Sequence, residues 1–417
     1  MRASAIERLA RRKWANGPDQ AMAGFRYVGL FSDLETPRPA ELRDALSILA
    51  AAGPHTRVAL TPRAGKRLWR YDPATRVPVH ELPDDIADND RASVMEYIRH
   101  RAGHRHPLEV HVSRRHLAFD VDHGLSDGSF VLDLASALYA LRDGRTTPWV
   151  TERDARLALP RALIRTFAFH PSRTRAMWNC AADLRSAESE ASDAISGGDY
   201  VAWSPSPAVL VTQVSARAES AVDEWRREKA GRPGSGAAWL YIVRQALYSA
   251  GLLMTDCVMV AFDCRRYLTP RNAANGNFII GLELPFTDDD TLPALATRTR
   301  SCIDSAAPLA AMGALSTRAL IRGGRQAVNP SGWNIGAPAS LMYTDMGNIT
   351  SVDDLPWTGE SSLAGLLDPG GPTSITVFSS RIGSTRSISI SFHDNVHDRG
   401  IIEKAAEHLK VPTQFLT

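Results

Sequence analysis

The segment from Leu108 to Arg142 constrains the fold more than any other stretch of the chain. Leu108, Val110 and Val112 alternate with Glu109 and His111; after Ser113-Arg114-Arg115, Leu117, Phe119 and Val121 alternate with Ala118 and Asp120. A period of two sends successive side chains to opposite faces of a strand, so the pattern predicts an antiparallel pair with one face buried and one wet. Phe130, Leu134, Leu138 and Leu141 then recur at helical spacing, the stripe of an amphipathic helix packed on that sheet. Trp239, Ile242, Val243, Ala246, Leu247 and Ala250 form another such stripe, opening just after Gly234-Ser235-Gly236. Near the end, Ile375 and Val377, a turn at Gly383, and Ile388, Ile390 and Phe392 repeat the hairpin pattern. Strands of this kind belong to antiparallel or mixed sheets, and the expected class is a mixed α/β fold of the α+β type.

A chain of 417 residues has length enough for two cores. Gly- and Pro-punctuated breaks at 143–160 and 193–207 divide it into an N-terminal half, 1–160, a connecting region, 161–204, and a C-terminal half, 205–417. No apolar run approaches the roughly 20 residues of a membrane-spanning helix, and residues 1–8 lack a secretory apolar core, so a cytoplasmic protein without a transmembrane segment is expected. A formal net charge of +2 argues against nucleic acid as the main partner. Cys180, Cys257, Cys264 and Cys302 form no C-x-x-C pair and read as reduced, buried thiols. No metal site is expected: His104, His106, His111 and His116 cannot all converge from alternating strands, and the i, i+4 pair His393 and His397 lacks an accompanying acidic motif.

The chemistry concentrates in Phe119-Asp120-Val121-Asp122-His123-Gly124-Leu125-Ser126-Asp127-Gly128-Ser129-Phe130, which falls between a strand and a helix. Histidine has the side chain whose unperturbed pKa lies closest to neutrality, so His123 at a strand end facing a cleft is suited to act as a general base. Asp127 can orient it indirectly or brace the loop, and Gly128 permits a backbone geometry or a close approach denied to other residues. The same residues have a structural reading, with Ser126 or Asp127 capping the helix. They also spell G-x-S-x-G, Gly124 to Gly128, the pattern of a nucleophile elbow. A serine hydrolase would use Ser126, with His397 and Asp394 or Asp398 completing a triad. Its fold needs a parallel sheet of continuous apolar strands, whereas the strands read here are alternating hairpins.

The motif resembles the H-H-x-x-x-D-G signature of the chloramphenicol-acetyltransferase-like superfamily. That group includes peptide-synthetase condensation domains, polyketide-associated acyltransferases, wax ester synthases and plant-type alcohol acyltransferases. Asp122 stands where the first His of the signature falls, and His123 matches the second, to which the catalytic role belongs. Ala261-Phe262-Asp263-Cys264-Arg265-Arg266, followed by Asn275-Gly276-Asn277-Phe278, resembles the family's Asp and Arg before a Gly-Asn pair. There Arg265 matches the arginine that pairs with the motif aspartate, with Arg266 its neighbour and competitor. Tyr343-Thr344-Asp345-Met346-Gly347 is loosely similar to a later family segment, and residues 375–395 to the closing hairpin.

The resemblance implies two related halves, each a mixed sheet with helices, around a central channel. It implies an acyltransferase of lipid or specialised metabolism in which His123 deprotonates a hydroxyl or amine acceptor that attacks an acyl thioester. Asp127, with Gly128 and Arg265, would support the site; Asp122, Tyr343, Thr344 and Gly347 are candidates for the channel, with Tyr343 or Thr344 as oxyanion donors. No bound cofactor is implied; acyl-coenzyme A or a phosphopantetheinyl carrier protein would be the donor and partner. A free-standing condensation enzyme forming amides, and a catalytically silent binder of acyl chains or carriers, are the alternatives within the resemblance. Any arginine patch for a phosphopantetheine or carrier must be local and is not located by the sequence.

Overall fold

The computed structural model describes residues 12–152, 155, 157–192, 199–230, 234–269, 274–322 and 330–416; residues 193–198 of the second expected break lie outside them. Two mixed sheets frame the described chain. The first has five strands in the order Trp357–Leu367, Arg26–Leu34, His116–Asp122, Leu108–Val112, Val79–Glu81. The alternating hairpin forms its centre, with Leu108 opposite Val121, Val110 opposite Phe119 and Val112 opposite Leu117. Phe130, Leu134 and Leu138 of the helix Ser129–Arg142 pack on that face together with the helix Pro39–Ala52.

The opposite face, expected to be wet, is buried: Glu109, His111 and Asp120 are each at most 1% exposed. The helix Arg91–His100 covers part of it, setting Val94, Met95 and Ile98 against Val28, Leu30 and Ala118. The charges are matched where they lie. Asp120 pairs with Arg26 at 2.8 Å and Arg105 at 3.0 Å, while Glu109 pairs with Arg101 and accepts the His106 N–H at 2.7 Å. A carboxylate taken out of water needs such partners, so alternation here marks an ionic layer rather than a solvent face.

The second sheet has six strands in the order Ile279–Pro285, Met254–Asp263, Ala339–Ile349, Ser374–Ile382, Thr385–His393, Pro207–Val214. The two pairings made by Ala339–Ile349 are parallel and the others antiparallel. The closing hairpin sets Val377 opposite Ile390 and turns at Gly383, whose φ of +60° suits glycine. Ile388, Ile390 and Phe392 join one core with Trp239, Ile242, Val243, Ala246 and Leu247 of the helix Ser235–Ser249 and with the helix Arg399–Lys410.

The two sheets meet at a strand that crosses between them. Trp357–Leu367 comes from the second half of the chain yet pairs antiparallel with Arg26–Leu34, Leu363 opposite Phe31. It lies over the serines that alternate with the buried isoleucines: Gly365 N–H donates to Ser389 Oγ at 3.0 Å and Leu367 N–H to Ser391 Oγ at 3.2 Å. Ser380 Oγ donates to Leu363 O at 2.7 Å. Small hydroxyl side chains let one backbone approach the other sheet and satisfy the N–H groups that the approach buries.

Cys180, Cys264 and Cys302 are buried thiols, whereas Cys257 is half-buried; none forms a disulfide. Among the described residues no helix is long and apolar enough to cross a membrane.

Candidate active site

The strand His116–Asp122 ends at the seam between the sheets, and residues 123–128 turn the chain into the helix Ser129–Arg142. The turn is tied down locally. His123 N–H donates to Phe25 O at 2.8 Å, and Asp122 Oδ1 accepts the N–H of Gly124 at 2.8 Å and of Gly24 at 3.2 Å. Burial raises the Asp122 pKa although these N–H groups oppose it. A Cβ on Gly124 would sit 2.8 Å from Ala23 Cα, so this close approach admits only glycine. Asp122 thus holds two loops together.

His123 is half-buried, its ring edge-on to Tyr27 with centroids 5.1 Å apart. Its Nδ1 lies 3.0 Å from Asn277 Oδ1. The orientation of that amide is set by its other end: Asn277 Nδ2 donates to His123 O at 2.8 Å and to Asp19 Oδ1 at 3.1 Å, both pure acceptors. Asn277 Oδ1 is therefore the acceptor, His123 carries a proton on Nδ1, and Nε2 of the neutral ring keeps its lone pair. Behind Asn277, buried Asp19 accepts its N–H at 2.9 Å and pairs with buried Arg57. A Cβ on Gly276 would fall 2.2 Å from Arg57 Nη1, so the arginine packs directly on the glycine.

Asp127 makes no hydrogen bond to the histidine ring. It is 2% exposed; its carboxylate accepts Arg265 Nη2 at 2.9 and 3.2 Å, the Phe278 N–H at 2.9 Å and Ser129 Oγ at 2.8 Å. Burial alone would raise its pKa, but the Arg265 charge and these hydrogen bonds outweigh it and hold the carboxyl below its usual range. Arg265 also donates to Gly276 O at 2.8 Å and to Ala274 O at 3.0 Å. The pair thereby clamps the histidine loop to the 274–278 segment of the second half. Arg266 instead donates to Asp263 O at 3.1 Å. Gly128 has an ordinary φ of −58°; a Cβ there would approach Met346 Sδ to 3.2 Å, so glycine keeps space open rather than supplying an unusual backbone.

His123, Asp127, Gly128 and Thr344 line one cavity of about 100 Å³, together with Tyr27, Met342 and Leu363 from strands of both sheets. Tyr343 and Gly347 are not in it. Period-two alternation along Ala339–Ile349 sends Met342, Thr344 and Met346 to the histidine and Tyr343 to the opposite face, where with Gly347 it borders a separate cavity of about 300 Å³. This corrects their expected place in a common channel. Asp122, tied to two backbone N–H groups, is likewise not among the residues lining the histidine cavity.

The nucleophile elbow does not form. Ser126 is fully buried and its hydroxyl donates to Asn275 O at 2.8 Å, Asp394 accepts from Ser206 Oγ, and Asp398 caps the helix Arg399–Lys410 through Gly400 N–H at 2.7 Å. Elsewhere His80, Glu109 and His111 converge to within 4.8 Å, but Arg101 already occupies the glutamate oxygen that both imidazoles face, and its charge opposes a cation. Asn277, Asp19 and Tyr27 were not assigned by sequence reasoning. Asn277 stood in the quoted Asn-Gly-Asn-Phe segment, but its bond to His123 spans 154 residues, and only the fold reveals it.

No family model matches the chain, and no curated protein matches it in sequence. Solved structures do: the chain has the two-lobed fold shared by chloramphenicol-acetyltransferase-like acyltransferases and condensation enzymes. Trichothecene 15-O-acetyltransferase from Fusarium sporotrichioides matches over 97% of this chain and 95% of its own, with a TM-score of 0.60 at 12% identity. Polyketide synthase associated protein 5 from Mycobacterium tuberculosis matches over 97% and 99%, TM-score 0.54 at 16% identity. VibH, a nonribosomal peptide synthetase condensation enzyme, matches over 96% and 92%, TM-score 0.51 at 12% identity. At such identities the likeness is one of fold.

Proposed function

We propose that the chain is an acyltransferase that moves an acyl group from a thioester to a hydroxyl or amine acceptor, with His123 as the general base. The observation that carries this reading is the bond from His123 Nδ1 to Asn277 Oδ1, which fixes the tautomer a base requires and leaves Nε2 to take a proton. In the proposed step the acceptor O–H or N–H gives its proton to Nε2 while its heteroatom attacks the thioester carbon. The tetrahedral adduct then expels the thiolate, which takes the proton back. Coenzyme A or a carrier-bound phosphopantetheine supplies the thioester. With the Tyr27 hydroxyl donating to Asp127 O at 3.2 Å, Thr344 is the remaining hydroxyl among the lining residues and is assigned to the developing oxyanion. Asp127 and Arg265 are positioning residues that hold the loop.

The test is a mass-spectrometric screen of acyl transfer and thioester hydrolysis, with coenzyme A and carrier-protein donors, on wild type and His123→Ala. General-base removal should cost about a hundred- to ten-thousand-fold in turnover with the fold retained. A His123→Ala variant that keeps most of its turnover refutes the mechanism. A wild type without His123-dependent chemistry on any donor is a silent binder.

A further inference from the structure

Remote from the histidine, one face of a small three-stranded sheet gathers positive charge. Strands Arg12–Trp14 and Leu68–Tyr71 pair antiparallel, with Arg12 opposite Arg70 and Trp14 opposite Leu68. Two guanidinium groups directly across a strand pair repel one another, an arrangement that costs stability unless something anionic lies between them. The loop that leads into the second strand adds Arg63, Lys66 and Arg67, and these six residues with Leu68 line a concavity of about 630 Å³. Among the described residues only Arg70 of the five cations has an ion pair, with Asp72 at 2.7 Å. The whole chain carries a formal charge of only +2, so the cluster is a local excess.

The loop is held in shape. Buried Trp69 donates its indole N–H to Lys66 O at 3.0 Å and Arg63 O at 3.2 Å, and Ala15 N–H donates to Arg67 O at 2.9 Å. A fixed loop presents its charges without having to be ordered on binding. Trp14, 54% exposed, places an aromatic face beside them. The same tryptophan also borders a second, mainly apolar cavity of about 660 Å³, whose lining also includes Asn16, Asp19, Asn275, Gly276 and Phe278. These are the residues around Asn277, which holds His123.

We propose that the cluster is a subsite for the phosphate-bearing end of a substrate, with Trp14 stacking on a ring next to the phosphates and the adjoining cavity taking the rest of the molecule toward the His123 loop. Guanidinium forks and an ammonium match phosphate oxygens, and an exposed indole offers its face to a heterocycle. The identity of that molecule as an acyl-transfer substrate rests on the function proposed above; the binding itself does not. Two sources share this chemistry, the nucleotide end of a coenzyme A thioester and a phosphorylated acceptor.

Titration calorimetry with coenzyme A and with pyrophosphate, at low and at 0.2 M salt, tests the subsite without turnover. The wild type should bind both, more weakly at high salt. Arg63→Gln/Arg67→Gln, changes at an exposed loop whose carbonyls keep their bonds, should weaken both about tenfold or more, since each charge-assisted contact is worth about that factor. Trp14→Ala should weaken coenzyme A and spare pyrophosphate. The double variant should raise KM with kcat unchanged, for the coenzyme A donor if the nucleotide end binds here and for a phosphorylated acceptor otherwise. A wild type that binds neither probe, or a double variant that binds both as wild type does, overturns the subsite. A protein inactive in acyl transfer that still binds coenzyme A through these residues refutes the proposed function and leaves the subsite standing. An active enzyme indifferent to the double substitution does the reverse.

Discussion

Removing the Asp127 carboxylate tests how the histidine loop is held. In Asp127→Ala, Arg265 loses its partner at 2.9 Å but keeps Asp263 at 3.3 Å and two backbone carbonyls, so its charge is only partly stranded. Breaking a buried pair from one side costs about 3–5 kcal/mol, and the remaining partners place this case at the low end. The Phe278 N–H, left without its acceptor, adds about 1–3 kcal/mol. These contributions overlap, and about 4 kcal/mol is the expected loss. Asp127→Asn keeps the shape and one acceptor oxygen, so it should cost about half as much. The acid dependence follows from the direction of the shift. Asp127 has a pKa below that of an unfolded aspartate, about 3.9, so its contribution is complete above that value and is lost as pH falls through the folded one. Urea denaturation followed by tryptophan fluorescence between pH 7 and pH 3 should show Asp127→Asn less stable at pH 7 and converging on wild type at the acid end. A wild-type advantage under about 1 kcal/mol at pH 7, or one that does not shrink toward pH 3, would refute the account of the clamp.

Asn277→Ala frees the His123 ring to change tautomer; kcat should fall about tenfold or more with KM little changed, and nitrogen NMR of the imidazole should show both tautomers. Ser389→Ala orphans the buried Gly365 N–H at the crossing strand and should cost about 1–3 kcal/mol in chemical denaturation, whereas an exposed serine would cost nothing measurable. Asp133, on the helix that follows the motif, has a pKa raised to about 6 chiefly by burial; stability therefore falls as pH rises from about 4 to 6, and Asp133→Asn should stabilise at pH 8 by at most about 3 kcal/mol and not at pH 4. Gly276→Ala drives a methyl against the Arg57 guanidinium and should reduce both stability and turnover, read by thermal melting and by the acyl-transfer assay.

The elements themselves were legible because they are local. Leu117, Phe119 and Val121 announce a strand, and Phe130, Leu134 and Leu138 a helix, wherever the chain places them. The environment of the other face was not. Glu109 and Asp120 read as solvent-facing, yet Arg26 from the neighbouring strand and Arg101 and Arg105 from the loop before Leu108 fold onto them and turn that face into a buried ionic layer. Ser389 and Ser391 likewise read as wet positions, because nothing near them in sequence foretells the strand Trp357–Leu367 laid across them. Polar alternation shows that a face needs partners for its hydrogen-bonding groups, not that water supplies them.

The same logic separates the parts of the candidate site. His123 and Asp127 stand out in sequence because the loop that carries them is short and chemically marked, while their supports come from the other half of the chain. Asn277 reaches His123, and Arg265 reaches Asp127, across 154 and 138 residues. Both supports act through one short segment, since Arg265 donates to the carbonyls of Ala274 and Gly276 and Asn277 follows directly. A strand end from one sheet and a loop from the other are thus held by a charge pair and an amide within a few residues. Any shift of one lobe against the other must therefore strain the Asp127–Arg265 pair and the Nδ1 hydrogen bond together. Substitutions at Asp127 should accordingly reach turnover through the orientation of His123, even though the carboxylate makes no hydrogen bond to the ring.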